Sequence, residues 1–386
     1  MKKSLVVALA CCALTLALGL AGCGGSGSAS SAASGSAASA SASASSASPD
    51  GMMVSEDKMM LDEGIDYWFG INGKAFNMAK ARDTFQKATE FGSAEAYYWL
   101  GDVRRYGQDA GRWPEVLAFY QKAVDQGSPY GYYGLGTLYE TGYGVDKDVQ
   151  KAIELYQKAA DGGCLMGNVG LGNLYSGISG IDNGLAIDAA KAQANYTAAL
   201  ESEDFATRNA ARVGLGDLNR YAIGAEADQA KALEWYQKAA DEGYYLACLR
   251  VGDTYRPDAG NAESDPGKMI EWYGKEAAGG FSYSLGEVYM NGFGVEADPA
   301  KAREIFQNAL DEGDRSAALC MCGLVLMNAN GLGQEKDKEA AIDWCYKAID
   351  ACGPFDDSDN PEERLHKPLP YARYVLEHYG QPLERS

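Results

Sequence analysis

Short apolar patterns with a helical period recur along most of this chain. One pattern has the spacing A-x-x-x-L-G-x-x-Y, and a clear copy contains Leu135, Gly136 and Tyr139. Apolar positions four residues apart lie on one face of an α-helix. The pattern therefore predicts a helix that buries one face. A glycine-rich turn follows it, as at Gly142 to Val145.

A second helical pattern follows each turn, and its most regular copies read FYQKAV, LYQKAA and WYQKAA. We call its central position the anchor, and the eight anchors are Phe85, Tyr120, Tyr156, Tyr196, Tyr236, Tyr273, Phe306 and Cys345. Successive anchors are between 33 residues (Tyr273 to Phe306) and 40 residues (Tyr156 to Tyr196) apart. Such a period is typical of a solenoid, in which each unit buries its apolar face against its neighbours.

Polar and glycine residues at fixed offsets predict where the second helix of each unit begins and ends. Aspartate is a preferred N-cap because its carboxylate accepts the free N–H groups of the first turn. It lies eight residues before six anchors, as Asp148, Asp188, Asp228, Asp265, Asp298 and Asp337. Glycines suited to a left-handed C-cap follow the helix, for example Gly127, Gly243 and Gly313. The chain is thus predicted to be all-α, with two antiparallel helices per unit.

The recurring glycine of the first helix has an energetic cost. Glycine inside a helix is about 1 kcal/mol less favourable than alanine. Its presence in unit after unit predicts a place where two helices approach too closely for a side chain.

Residues 1–22 have the pattern of an export signal. Lys2 and Lys3 precede an apolar run, which ends in Leu-Ala-Gly-Cys at Cys23. This box resembles the lipobox of bacterial lipoproteins. The resemblance implies cleavage before Cys23, lipidation of its sulfur and stable anchoring by several acyl chains. The alternative is an uncleaved membrane-spanning helix, for which the apolar run is near the lower length limit.

Composition supports a tethered protein that is held to the membrane by lipid. Residues 24–48 are all glycine, serine or alanine, and such a segment cannot bury enough apolar surface to fold. We therefore interpret residues 23–49 as the lipidated cysteine and a flexible tether. The net charge of −20, from 34 basic and 54 acidic residues, disfavours binding to nucleic acid phosphates and to anionic lipid headgroups.

The repeats resemble the Sel1-like repeat family, a variant of the tetratricopeptide repeat. The fullest copy, Leu135 to Gly163, contains LGTLYETGYGV, then D-x-x-KA, LYQKAA and a closing glycine. The resemblance implies a right-handed superhelical solenoid of about eight helix–turn–helix repeats, which we assign to residues 50–353. Residues 354–386 are expected to form an acidic loop and a C-terminal capping helix.

The resemblance also implies that the first helices line the concave face of the superhelix. Positions two before and two after each leucine lie four residues apart and therefore share one side of the helix. The prediction is a groove for a basic peptide segment of a partner, with tyrosine anchors and an acidic rim. Its candidate residues are Tyr98, Asp102, Tyr133, Asn173, Asp217, Asp253, Tyr283 and Glu287. The alternative is that the aromatic positions pack on the preceding repeat and the polar positions are solvated.

Six cysteines follow the tether, and four of them, Cys320, Cys322, Cys345 and Cys352, lie in the last repeat. Export permits disulfides, and an antiparallel hairpin would bring Cys320 near Cys352 and Cys322 near Cys345. The alternative is buried thiols that act as small apolar residues. The sequence leaves both interpretations open.

Residues that carry chemistry are few. The only two histidines, His366 and His378, lie in the tail, and zinc-protease, nucleophile-elbow and phosphate-loop motifs are absent. We therefore expect no catalytic residues, metal or cofactor.

The sequence favours a non-enzymatic adaptor, lipid-anchored on the extracytoplasmic face of the cell membrane, that binds an exported or membrane protein. One alternative is a cell-wall- or ligand-binding lipoprotein, which the 25 tyrosines suggest. The other is a lactamase-like hydrolase on the same scaffold.

Overall fold

The structure is a computed structural model, and it describes residues 55–106, 112–178, 184–257 and 264–352. Within these ranges it contains sixteen α-helices and no strand. The predicted signal peptide, Cys23, the tether and the predicted capping helix lie outside the described residues, as do both histidines.

The helices follow one another as eight antiparallel pairs, numbered here as repeats 1 to 8. The first helices of the pairs are α1 (Glu56–Phe69), α3 (Glu95–Arg105), α5 (Pro129–Thr141), α7 (Met166–Ser176), α9 (Phe205–Arg220), α11 (Tyr245–Thr254), α13 (Tyr283–Asn291) and α15 (Ala317–Asn330). The second helices are α2 (Met78–Glu90), α4 (Arg112–Asp125), α6 (Val149–Asp161), α8 (Ala189–Ala199), α10 (Gln229–Asp241), α12 (Pro266–Ala278), α14 (Pro299–Glu312) and α16 (Lys338–Cys352). The predicted all-α repeat solenoid is confirmed.

The second helices begin at the predicted caps. The Asp148 carboxylate accepts the Lys151 N–H at 2.9 Å, and the Asp298 carboxylate accepts the Lys301 N–H at 3.0 Å. Glycines follow the C-terminal ends of second helices, and Gly243, after α10, has a φ of 88°. This left-handed conformation favours glycine and turns the chain into the next repeat.

The aromatic anchors explain the recurring glycines. A Cβ on Gly101 would lie 2.5 Å from the Tyr120 ring, and a Cβ on Gly134 would lie 2.6 Å from it. Gly101 belongs to the first helix of repeat 2 and Gly134 to that of repeat 3. The ring is therefore held between two consecutive repeats, which confirms the predicted close approach.

First helices form an inner layer, and second helices form an outer one. Every residue of α11 from Tyr245 to Asp253 is buried. In α6, by contrast, Glu154, Gln157 and Lys158 are exposed. One continuous apolar core runs along the inner side of the solenoid, from Leu61 in repeat 1 to Met327 in repeat 8.

The two ends of the solenoid contact each other across the interior. Arg315, at the start of repeat 8, donates hydrogen bonds to the backbone carbonyls of Trp68 in repeat 1 and Gly279 after repeat 6. Its guanidinium carbon lies 4.2 Å from the centre of the Trp68 ring and 4.3 Å from that of Phe76. The described repeats therefore close on themselves and do not leave an open concave groove between the first and last repeat.

Candidate functional site

All eight residues predicted to line a partner groove are buried. The exposed fraction is at most 8% for each of Tyr98, Asp102, Tyr133, Asn173, Asp217, Asp253, Tyr283 and Glu287. The prediction that these residues contact a partner at an open surface is therefore wrong. The reason is that the first helices are enclosed by their neighbours, so that their polar positions face other side chains and not water.

In repeats 4, 5 and 6 the polar position two residues after the leucine is an acceptor for the anchor of the same repeat. In three repeats the anchor hydroxyl donates to this position: Tyr196 to Asn173 at 2.7 Å, Tyr236 to Asp217 at 2.6 Å and Tyr273 to Asp253 at 2.8 Å. Buried polar groups need such partners, because an unpaired one costs its full desolvation energy. The recurring acid thus accompanies the recurring tyrosine.

Repeats 3 and 7 have other partners at these positions. In repeat 3 the equivalent position is Thr137, whose hydroxyl donates to a backbone carbonyl of its own helix. The Tyr156 hydroxyl donates instead to Glu140, one helical turn further on. In repeat 7 the anchor is phenylalanine, and Glu287 pairs with Arg256 at 3.3 Å.

A buried arginine links two of the acids. Arg250 Nε lies 3.0 Å from Asp217 Oδ1, and Arg250 Nη1 lies 3.6 Å from Asp253 Oδ2. These carboxylates belong to repeats 5 and 6, so the arginine connects neighbouring repeats. Both carboxylates thus already have a cationic partner inside the protein, which weakens the basis for a basic peptide bound on this row of acids.

Burial strongly perturbs other interior carboxyl groups. It raises the pKa of Asp102 to about 6, although Arg105, at 3.4 Å, acts in the opposite direction. It raises the pKa of Glu140 to about 7, against the lowering effect of the Tyr156 hydroxyl. Perturbed pKa values occur at catalytic sites and in structural networks alike. Here each group belongs to the packing of one repeat, which favours a structural role.

The buried tyrosines before each leucine stack on the anchors. The ring centres of Tyr98 and Tyr120 are 5.6 Å apart, and those of Tyr283 and Phe306 are 5.7 Å apart. Both pairs are nearly parallel, with interplanar angles of 21° and 18°. These tyrosines therefore serve as core. The alternative was right that they pack, but they stack on the anchor of their own repeat and not on the preceding repeat.

The outer layer carries a row of partly exposed tryptophans that we did not predict. Trp235, Trp272 and Trp344 occupy the position directly before the anchor in repeats 5, 6 and 8. A lysine three residues later lies over each ring, at 4.7, 3.5 and 4.2 Å from its centre. The sequence signal was present as W-x-x-K in WYQK, WYGK and WCYK. We call these three residues the tryptophan row.

The described cysteines of the last repeat are buried thiols. Cys320, Cys322 and Cys345 all occur in this form. Cys322 packs against Ala348, whereas Cys345 belongs to a separate apolar cluster around Val325. The Cys322–Cys345 bond is thus not formed in the structure. Cys320 is likewise a thiol in the structure, whereas the side chain of Cys352 lies outside the described residues.

Two further features limit the chemistry of the described repeats. Among the residues that the structure describes, no group of three or more His, Cys, Asp or Glu side chains is arranged to hold a metal ion. None of the helices in these ranges has the length and apolar character needed to cross a membrane.

These features define the class of protein as an all-α repeat solenoid with a packed inner layer. The family model described as Sel1 repeat matches residues 129–164, 210–244, 282–314 and 316–351. These segments correspond to repeats 3, 5, 7 and 8 of the structure. Four of the eight repeats thus match the Sel1 repeat model, in agreement with the sequence resemblance.

Several solved structures are similar to the chain. A Sel1 repeat protein from Oxalobacter formigenes has 25% sequence identity and a TM-score of 0.42, over 65% of this chain and 95% of that one. The protein c5321, a protective antigen of uropathogenic Escherichia coli with an SLR fold, has 23% identity and a TM-score of 0.34, over 86% and 74%. The immunity protein Pa5087 from Pseudomonas aeruginosa has 22% identity and a TM-score of 0.43, over 57% and 83%. The comparison with curated proteins found no match.

Proposed function

We propose that this Sel1 repeat protein is a lipid-anchored scaffold on the extracytoplasmic face of the cell membrane, where it binds another exported or membrane protein. Solenoid repeats typically present an extended surface to a partner. The observation that carries the proposal is the packed inner layer, which leaves the outer layer of second helices as the broad accessible face.

The tryptophan row is the part of this face that we assign to the partner. Tryptophan is enriched among interface residues that contribute about 2 kcal/mol or more, which corresponds to about 30-fold in affinity. Trp235, Trp272 and Trp344 recur with the repeats, and each is neither fully buried nor fully exposed. A partner that covers Lys238, Lys275 and Lys347 together with the rings would desolvate these cation–π contacts and so strengthen them.

Crosslinking in living cells tests the binding face. A photoreactive residue is placed at Glu234 or Glu271, which are exposed beside Trp235 and Trp272. We expect one dominant partner to be captured at both positions. A matched position at Glu226, exposed in the turn before the second helix of repeat 5, serves as the control.

The variant Trp272→Ala completes this test. It should weaken capture by about 30-fold while the helical circular dichroism of the purified protein remains unchanged. Capture from Glu226 alone, or undiminished capture by Trp272→Ala, would rule out the tryptophan row as the binding face.

Membrane anchoring rests on the box that ends in Cys23. The variant Cys23→Ser should appear in the soluble fraction, because a serine cannot carry the thioether-linked lipid. Ser26→Ala, three residues further on, should remain with the membrane. Retention of Cys23→Ser through an alkaline carbonate wash would instead support the uncleaved membrane helix.

We also propose that the protein is not an enzyme. Buried acids such as Asp217 and Glu287 are paired with arginines, and the anchor tyrosines are enclosed in the core. Purified protein should leave a chromogenic lactam intact, and measurable hydrolysis would contradict this proposal. Retention of the protein on cell-wall polymer, with no protein crosslink, would favour the wall-binding alternative.

A further inference from the structure

Repeat 1 contacts the starts of four distant repeats. The Phe69 ring lies 5.4 Å from that of Phe205, where repeat 5 begins, and 6.4 Å from that of Tyr244, where repeat 6 begins. A Cβ on Gly280, before repeat 7, would lie 2.5 Å from the Phe76 ring. The Arg315 bond to the Trp68 carbonyl adds repeat 8. In an ordinary solenoid each repeat contacts only its neighbours.

Arg315 is the centre of this contact. Its guanidinium carbon lies within 6 Å of four ring centres: Trp68 at 4.2 Å, Phe76 at 4.3 Å, Tyr245 at 4.7 Å and Phe69 at 5.9 Å. It also donates to two backbone carbonyls on different repeats. A cation that is desolvated among aromatic faces interacts with them strongly. One side chain thus bridges the first repeat to the last three.

The segment that makes these contacts is a tight turn. Gly70, Asn72 and Gly73 have φ values of 67°, 51° and 80°, which hold the chain in a tight reversal between α1 and α2. Asn72 and Gly73 are exposed at its outer side, whereas Trp68 and Phe69 are buried on its inner side. The turn therefore lies at the boundary between solvent and the interior.

We propose that residues 68–76 form a latch, meaning an intramolecular contact that holds the two ends of the superhelix together. Opening of the latch separates repeat 1 from repeats 5 to 8 and uncovers the inner sides of their first helices. The latch is a conformational device that goes beyond the proposed scaffold function. It depends neither on the lipid anchor nor on the tryptophan row.

Hydrogen exchange of the full chain tests the latch. The variant Arg315→Ala should speed amide exchange by about tenfold or more in α1 and α2, although Trp68 of α1 lies 247 residues away in sequence from the altered side chain. Repeats 3 and 4 should be unchanged. The control is Arg303→Ala, which removes a half-buried arginine of α14 that has no contact with repeat 1 among its described hydrogen bonds.

A glycine pair gives an independent version of the test, in case Arg315→Ala does not fold. Gly280 and Gly163 occupy equivalent places before a first helix, with φ values of 82° and 97°. Alanine is therefore strained at both positions. Only at Gly280 would it strike Phe76, because a Cβ on Gly163 meets nothing within 4 Å.

The expected result is faster exchange in α1 and α2 for Gly280→Ala but not for Gly163→Ala. Changes confined to the altered repeat and its chain neighbours, in all of these variants, would overturn the latch. The measurement uses purified protein without partner or membrane, so its failure would leave the proposed scaffold function untouched.

Discussion

Replacement of Gly216 by alanine tests how tightly the anchors are held between helices. A Cβ at this position would lie 2.3 Å from Cε1 of Tyr236. The Tyr236 ring has little freedom to move, because it is fully buried and its hydroxyl donates to Asp217 at 2.6 Å. Asp217 is itself held by Arg250. The added methyl group must therefore displace a ring that is fixed at both ends.

The expected magnitude follows from three contributions. Overpacking of a well-packed core costs about 1–3 kcal/mol, and distortion of the tyrosine hydrogen bond adds about 1 kcal/mol. The gain in helix propensity offsets about 1 kcal/mol. Gly216→Ala should therefore lower the free energy of unfolding by about 1–3 kcal/mol.

Gly274 provides a matched control within a helix. It lies in α12 one residue after the anchor Tyr273, and a Cβ there would meet nothing within 4 Å. Gly274→Ala should stabilise the protein by about 0.5–1 kcal/mol, because only the propensity gain remains. The two variants are compared by urea unfolding, followed by circular dichroism at a helical wavelength. Equal shifts of the two midpoints would refute the close-packing argument.

Three other predictions concern caps and buried charges. Asp228→Ala removes an N-cap bond to Lys231 N–H and should cost about 1 kcal/mol; an unchanged urea midpoint would contradict the cap. Arg250→Met leaves Asp217 without its buried cation and should cost about 3–5 kcal/mol, so a neutral result would show that water replaces the arginine. Burial raises the pKa of Asp102 to about 6 and of Glu140 to about 7. The folded state thus holds these protons more tightly than the unfolded state, and stability present below about pH 4 is lost as pH rises through 6 to 7. The urea concentration at the unfolding midpoint should therefore decrease as the pH is raised from 5 to 8. An increase over that range would show that other groups dominate.

Local features of the fold were predictable from sequence because they depend on neighbours in the chain. The aspartate caps such as Asp148, the C-cap glycines such as Gly243 and the paired glycines around Tyr120 each follow from one helix or one hairpin. The repeat period then placed these hairpins in a solenoid. The anchor's need for a hydrogen-bond acceptor was missed, because the separation between hydroxyl and acceptor varies: Asp217 lies 19 residues before Tyr236, but Asn173 lies 23 before Tyr196.

Contacts between distant repeats were not predictable from the sequence, because they depend on how the rotation between successive repeats adds up along the chain. A small rotation from each repeat to the next decides whether Trp68 and Arg315 meet, and no pattern within one repeat contains that sum. The predicted groove was wrong for a different reason, which lies within the repeats. Its candidate residues face the anchors of their own repeats, as Asp217 faces Tyr236, and are therefore part of the core between the two layers.

Closure of the superhelix also means that the contacts of repeat 1 with repeat 8 can form only late in synthesis. The segment with Trp68, Phe69 and Phe76 is made early, whereas Arg315 follows Trp68 by 247 residues. At roughly 5–20 residues per second, ribosomes need about 12–50 s to cover that distance. Throughout this interval, the aromatic side chains of the early segment lack the contacts with later repeats that bury them in the folded protein. The nascent chain is thus expected to be vulnerable to aggregation and to engage chaperones until its eighth repeat emerges.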